Sequence, residues 1–247
     1  MTSSIIAWGD SILKGVVSGG DSKCFDITEK DSLSQACAAL GIELTNKSVF
    51  GSWMTKTRRT QDRSIRAGNI AQMAIIESGS NDSDYDWIAV NQNPDADHLQ
   101  RCPLDEFKAL MQEAVEVARQ NKITPVIMIP NPLVPDWWFK NICIGNDENV
   151  IRKFVERKYG LQEQNALQDK NSAAALRLYQ NQELYSIAAA NLARALNVQT
   201  VDMRSEFLAH PNYRDLMCLD GVHPNQAGYD FMAEIWKREI PGLRVEF

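Results

Sequence analysis

The chain has 247 residues, 44% of them hydrophobic and 23% charged, with a formal net charge of −6. That is enough apolar material for a sizeable core in a single domain spanning 1–247, while the negative balance excludes a sequence-independent grip on nucleic-acid backbones. No run of about 18 apolar residues occurs, so no membrane-spanning helix is expected.

Residues 5–8 open the chain as a short apolar strand, and no basic n-region or long apolar run precedes them. Five cysteines are scattered without a C-x-x-C pair, so reduced thiols and a cytoplasmic location are the expectation. Residues 33–40 read as a short helix and 42–49 as a second strand. The basic run Lys56, Thr57, Arg58, Arg59 reads as a solvated surface turn. A third strand is expected at 73–77, a helix with one apolar face at 105–120, and a fourth strand at 126–129. The segment 131–171 exceeds a simple connection and predicts a helical insertion, with its helix at about 149–159. A long helix at 173–196 leads to a fifth strand at 198–202, and the last helix is predicted to start at an Asn225 cap and run to about Arg238. Strands alternating with helices predict an α/β protein: a five-stranded parallel, flavodoxin-like sheet between two helical layers. In such sheets ligands bind beyond the carboxyl ends of the strands.

The residues at those strand ends carry chemistry. The first strand runs into Gly9, Asp10 and Ser11, which puts a hydroxyl where strand turns to helix. A serine hydroxyl is a poor nucleophile without a base beside it. A Gly-Asp-Ser triplet arises by chance in about one such chain in fifteen, so a mere helix cap is the competing reading. Near the other end, His223 follows Asp220 by three residues in a turn-prone loop. Such a loop can fold the carboxylate onto the imidazole Nδ1–H and leave Nε2 free to take a proton from Ser11. The third strand leads to Asn81, whose amide suits stabilisation of an oxyanion, although an Asx turn would use it equally well. After the second strand, Gly51 can bring its backbone N–H close to a substrate. Each motif alone is weak. Together, in this order at these strand ends, they arise by chance in about one chain in a thousand or fewer.

The set resembles the SGNH (GDSL) hydrolase family, whose blocks are marked by Ser, Gly, Asn and His. Gly9-Asp10-Ser11-Ile12 is similar to block I, with Ile12 in place of the family's Leu; Gly51 corresponds to block II, Gly79-Ser80-Asn81-Asp82 to block III and Asp220-Gly221-Val222-His223 to block V. The resemblance covers residues 5 to about 238. It implies the SGNH hydrolase fold and a serine esterase in which Ser11 is the nucleophile, His223 the base and Asp220 its orienting partner. It also implies an oxyanion hole made of the Ser11 and Gly51 N–H groups and the Asn81 side chain. No cofactor and no metal is implied.

Trp53, Trp137 and Trp138 lie in stretches expected at the active edge and are candidates for the substrate wall, with core packing the competing role. Cys218 reads as a buried small hydrophobe rather than a rival nucleophile. The substrate expected is a small-molecule ester, either a short soluble one or an acetylated carbohydrate. An acyltransferase using the same acyl-enzyme and a non-catalytic ligand-binding member of the fold are alternatives. The oligomeric state is open.

Overall fold

The structure is a computed structural model that describes residues 2–19, 24–161 and 170–247. Its centre is a parallel sheet. Strand β1 (Ser4–Trp8) leads into a single helical turn, α1 (Ser11–Lys14). A two-stranded hairpin follows, β2 (Val16–Ser18) with β3 (Phe25–Ile27), and then α2 (Ser32–Leu40) and β4 (Glu43–Asn46). Next come α3 (Met54–Arg66), β5 (Met73–Ile76), α4 (Trp87–Gln92), α5 (Leu104–Gln120) and β6 (Thr124–Ile129). The chain continues through α6 (Pro135–Cys143), α7 (Glu148–Tyr159), α8 (Lys170–Ala195), β7 (Gln199–Asp202), α9 (Met203–Ala209) and α10 (Gln226–Glu239).

The large sheet has the order β4-β1-β5-β6-β7, every pair parallel, which is the predicted flavodoxin-like arrangement. Successive strand residues face opposite ways, and two cores result. Ile5, Ala7, Met73, Ile75, Val126, Met128 and Val201 pack against α2, α9 and α10. Ile6, Trp8, Ala74, Ile76, Ile127 and Ile129 pack on the other face against α3, α5 and α8. Near-continuous apolar strands are required when both faces are covered. A third cluster, built on Tyr85, Trp138, Phe139, Ile151, Phe154 and Leu178, joins α4, α6 and α7 to the first turns of α8.

Several local expectations are corrected. The basic run 56–59 lies in helix α3 rather than in a surface turn. The buried face of α3 is polar: Arg58 is buried and donates to Gln61 (2.7 Å), Asp62 (2.9 Å) and Glu113 (3.1 Å), and the Gln61 amide donates to the Ala114 carbonyl (2.9 Å). Apolar periodicity has nothing to register on such a helix. The second strand, Glu43–Asn46, is shorter than 42–49, although the Lys47 and Val49 N–H groups still donate to the Ala7 and Gly9 carbonyls (2.9 and 3.0 Å); the Asn46 side chain accepts the Ser48 N–H and donates to the Leu13 carbonyl. Residues 135–139 belong to α6, with Pro135 in its first turn, where the missing N–H costs nothing. Within the predicted insertion α6 and α7 are helical, and residues 162–169 lie outside the described residues.

Candidate active site

The carboxyl end of β1 is tightly built. A Cβ on Gly9 would stand 2.8 Å from Glu77 Oε2 and from a Leu13 methyl, so any larger residue there would have to displace these two buried side chains. Asp10 caps α1 by accepting the Ile12 N–H (2.8 Å), and Gly15 ends the turn at φ +82°. Ser11 is therefore held as the first residue of a one-turn helix at the sheet edge. Its Oγ lies 2.9 Å from His223 Nε2.

The loop carrying His223 is folded around a carboxylate. Asp220 Oδ1 accepts the N–H groups of Val222 (2.9 Å) and His223 (3.1 Å), and Oδ2 lies 2.6 Å from His223 Nδ1. Burial works to raise the Asp220 carboxyl; the hydrogen bond and charge attraction of the imidazole, with the two backbone donors, outweigh it and hold the group below its usual range. Between them Gly221 adopts φ +74°, and a Cβ there would stand 2.5 Å from the Trp138 nitrogen and 2.7 Å from the Val134 carbonyl oxygen. That close approach allows the Val134 N–H to donate to the Gly221 carbonyl (2.8 Å), while Asn131 Nδ2 donates to the Val222 carbonyl (3.2 Å). After the loop, Asn225 caps α10 by accepting the Gly228 N–H (3.0 Å), as its position after Pro224 predicts.

Asn81 reaches the same edge from the loop after β5. Its Nδ2 donates to Asp10 Oδ2 (2.8 Å), which ties the amide to the turn that bears Ser11. Behind it sit three fully buried carboxyls. Asp10 donates its N–H to Glu77 Oε2 (2.9 Å), and Asp82 accepts the N–H groups of Met54 (2.7 Å) and Gly79 (2.8 Å). Burial pushes Asp82 up to about 7. Burial and then the negative charge of Asp10 push Glu77 well above the carboxylate range. Asp10 is also raised by burial, but the N–H donors of Ile12 and Asn81 favour its anion and work against that rise. Gly51, at φ +64°, is half-buried, and a Cβ there would meet nothing within 4 Å.

The rings packed on His223 were not singled out from sequence. Phe25, on β3, stands edge-on to the imidazole with centroids 5.5 Å apart, and Phe50 stacks on it at 6.3 Å. Strands of three residues carry no readable period, and a lone phenylalanine before a glycine carries no motif, so no signal in the sequence pointed to either. Among the described residues these are the rings recorded against His223. Of the three tryptophans, Trp53 precedes α3 with Lys56 Nζ 3.6 Å from its ring centre, Trp137 is half-buried with the Arg214 guanidinium 5.6 Å from its ring centre, and Trp138 is buried in the third cluster; a Cβ on Gly221 would come within 3.0 Å of Trp137 Cβ and 2.5 Å of the Trp138 nitrogen, so both border the His223 loop. Cys218 is buried, its thiol pushed up by burial and its Sγ 3.4 Å from both the Ser18 nitrogen and the Pro224 carbonyl oxygen, as befits a packed rather than reactive cysteine.

The profile of the GDSL-like lipase/acylhydrolase family matches residues 7–231, from β1 into α10. The chain belongs to that family. It is a carboxylic ester hydrolase of the GDSL type. Solved structures share the fold of this GDSL hydrolase at low identity. A lipase/acylhydrolase from Enterococcus faecalis is 14% identical, with 99% of each chain covered and a TM-score of 0.62. An acetylxylan esterase from Geobacillus stearothermophilus is 19% identical, covering 98% of this chain and 95% of its own, with a TM-score of 0.61. A lipolytic G-D-S-L family protein from Veillonella parvula is 15% identical, with 98% and 100% covered and a TM-score of 0.61. No curated protein matches the sequence closely enough to count as a relative. Among the described residues of this GDSL hydrolase, no group of three His, Cys, Asp or Glu side chains could hold a metal ion, and no helix is long and apolar enough to cross a membrane.

Proposed function

We propose that the protein is a serine esterase that works through an acyl-enzyme on Ser11. The observation that carries this reading is the continuous hydrogen-bonded path from Ser11 Oγ through both nitrogens of His223 to Asp220, with steps of 2.9 and 2.6 Å. His223 takes the Ser11 proton as Oγ attacks the ester carbonyl, while Asp220 holds the imidazole with Nε2 facing the hydroxyl and stabilises the imidazolium that forms. The backbone N–H groups of Ser11 and Gly51 and the Asn81 amide receive the oxyanion, Asn81 being pre-oriented by its bond to Asp10. The alcohol leaves with the proton from His223, and water cleaves the acyl-enzyme by the same route.

We assign a small soluble ester or an acetylated carbohydrate as substrate. The fold shared with an acetylxylan esterase supports the second choice, and the apolar rings beside His223 suit either. Five free cysteines suit a reducing compartment, which supports placing the reaction in the cytoplasm. Residues 1–247 act in this reading as one hydrolase domain with 131–171 as its insertion.

The test is hydrolysis of 4-nitrophenyl acetate by wild type and Ser11→Ala, with a serine-directed phosphonate and mass mapping. The variant is expected to lose roughly 10³-fold or more in kcat, and the phosphonate to label Ser11. Activity that survives the substitution, or labelling elsewhere, removes the mechanism.

A further inference from the structure

Phe25 and Phe50 are exposed side chains beside the buried Ser11 and His223. Ser11 and His223 are 4% and 6% exposed, whereas Phe25 and Phe50 are 38% and 47% exposed. Two separate elements bring them together, their centroids 5.1 Å apart. The β2–β3 hairpin is pinned at three points: Tyr229 Oη donates to the Val16 carbonyl (2.7 Å), the Ser18 N–H donates to Cys218 Sγ (3.4 Å), and Thr28 Oγ1 donates to Gln226 Oε1 (2.7 Å). Ser18 pairs with Phe25 in the hairpin register, so a bond made only two residues before Asp220 holds Phe25 over the His223 loop. Phe50 arrives from β4 immediately before Gly51. Large rings left facing solvent beside buried polar groups are the composition of a ligand-binding wall.

Their position relative to the imidazole decides which half of an ester they meet. Resting on the reaction proposed above, His223 must return its proton to the departing alkoxide, so the leaving oxygen comes within about 2.6–3.2 Å of Nε2. The rest of the alcohol then lies on the imidazole's side of the carbonyl, where the two phenyl rings are, while the oxyanion faces the N–H donors of Ser11 and Gly51 and the Asn81 amide. We infer that Phe25 and Phe50 form the leaving-group subsite and select esters whose alcohol carries a broad flat ring face. A pyranose ring offers such a face in its C–H groups, and an aryl alcohol offers one in its π system. The enzyme therefore discriminates on the alcohol.

The experiment compares acetyl esters that differ only in the alcohol: an acetylated methyl xylopyranoside, phenyl acetate and ethyl acetate. Phenyl butyrate is added to vary the acyl half alone. Wild type, Phe25→Ala, Phe50→Ala and the volume-keeping Phe25→Leu and Phe50→Leu are assayed for kcat/KM. The wild-type preference for one or both ring acetates over ethyl acetate is expected to fall by about 3- to 15-fold in each Ala variant. It should fall in the Leu variants too, because leucine is apolar but has no flat face. The acetate-to-butyrate preference should keep its wild-type value. The ring acetate that suffers the larger loss identifies sugar or aryl as the preferred alcohol. An unchanged ring preference in both Ala variants, or a shift in the acetate-to-butyrate ratio instead, overturns the assignment. Failure of the underlying esterase reading looks different: Ser11→Ala then hydrolyses these esters as wild type does, and both proposals fall.

Discussion

Asp10 and Glu77 meet at the strand end that carries Ser11, and burial raises both carboxyls. Glu77 is raised, first by burial and then by the charge of Asp10, so the folded chain keeps a proton that the unfolded chain releases above about pH 4.3. Its favourable contribution is complete below that value and is lost as pH rises toward the folded pKa. Glu77→Gln removes the titration while keeping the shape. Its melting temperature relative to wild type should be nearly level at pH 4 and climb by several degrees toward pH 8; a difference that shrinks as pH rises would show Glu77 ionised in the fold. Asp220 has the opposite sign. Its lowered carboxyl stabilises the fold above about pH 4, and that contribution disappears as pH falls through the folded value. At Asn81 the effect is on rate and, through its bond to the buried Asp10, on stability: Asn81→Ala should lower kcat by about 10²- to 10³-fold and lower the melting temperature, and an unchanged kcat in the folded variant would remove it from the proposed oxyanion hole.

At the scale of elements, the loop before α10 and the start of α6 are built against each other through one glycine. Gly221→Ala adds a Cβ against two backbone atoms at a positive φ, and backbone cannot swing aside as a side chain can. Chemical denaturation should show a loss of about 2–4 kcal/mol, with a fall in kcat as His223 shifts. Gly51→Ala is the natural comparison. It has a similar positive φ but open space around the new methyl, so its stability loss should be only the backbone penalty of about 1–2 kcal/mol. Equal losses at the two glycines would mean that the contact with α6 does not constrain the loop. The hairpin β2–β3 shows the same logic in reverse. It has too few residues to be stable alone, and its position depends on bonds to Tyr229, Cys218 and Gln226, all from the far end of the chain.

For the molecule as a whole, the third cluster links α4, α6 and α7 to α8, and through α6 it reaches the His223 loop. Phe154 is its buried centre, with ring contacts to Tyr85, Trp87 and His98. Phe154→Ala should cost about 3–5 kcal/mol by denaturation, and activity should fall with the folded fraction. If activity is lost before global unfolding, the cluster instead opens on its own.

The α/β class and the five strands of the parallel sheet are legible in the sequence, because apolar runs covered on both faces leave a continuous signal and strand ends carry compact motifs. The Gly-Asp-Ser, Gly-x-Asn-Asp and Asp-x-x-His segments are readable for the same reason: each needs only neighbouring residues to show its chemistry. Tertiary structure alone decided what distant residues do to one another. The approach of Ser11 to His223 spans 212 positions, and the Glu77 carboxyl is raised by burial and by the charge of an Asp10 that lies 67 positions away. The polar buried face of α3 and the placement of Phe25 and Phe50 also depend on partners far away in the chain, and such partnerships leave no local period to read.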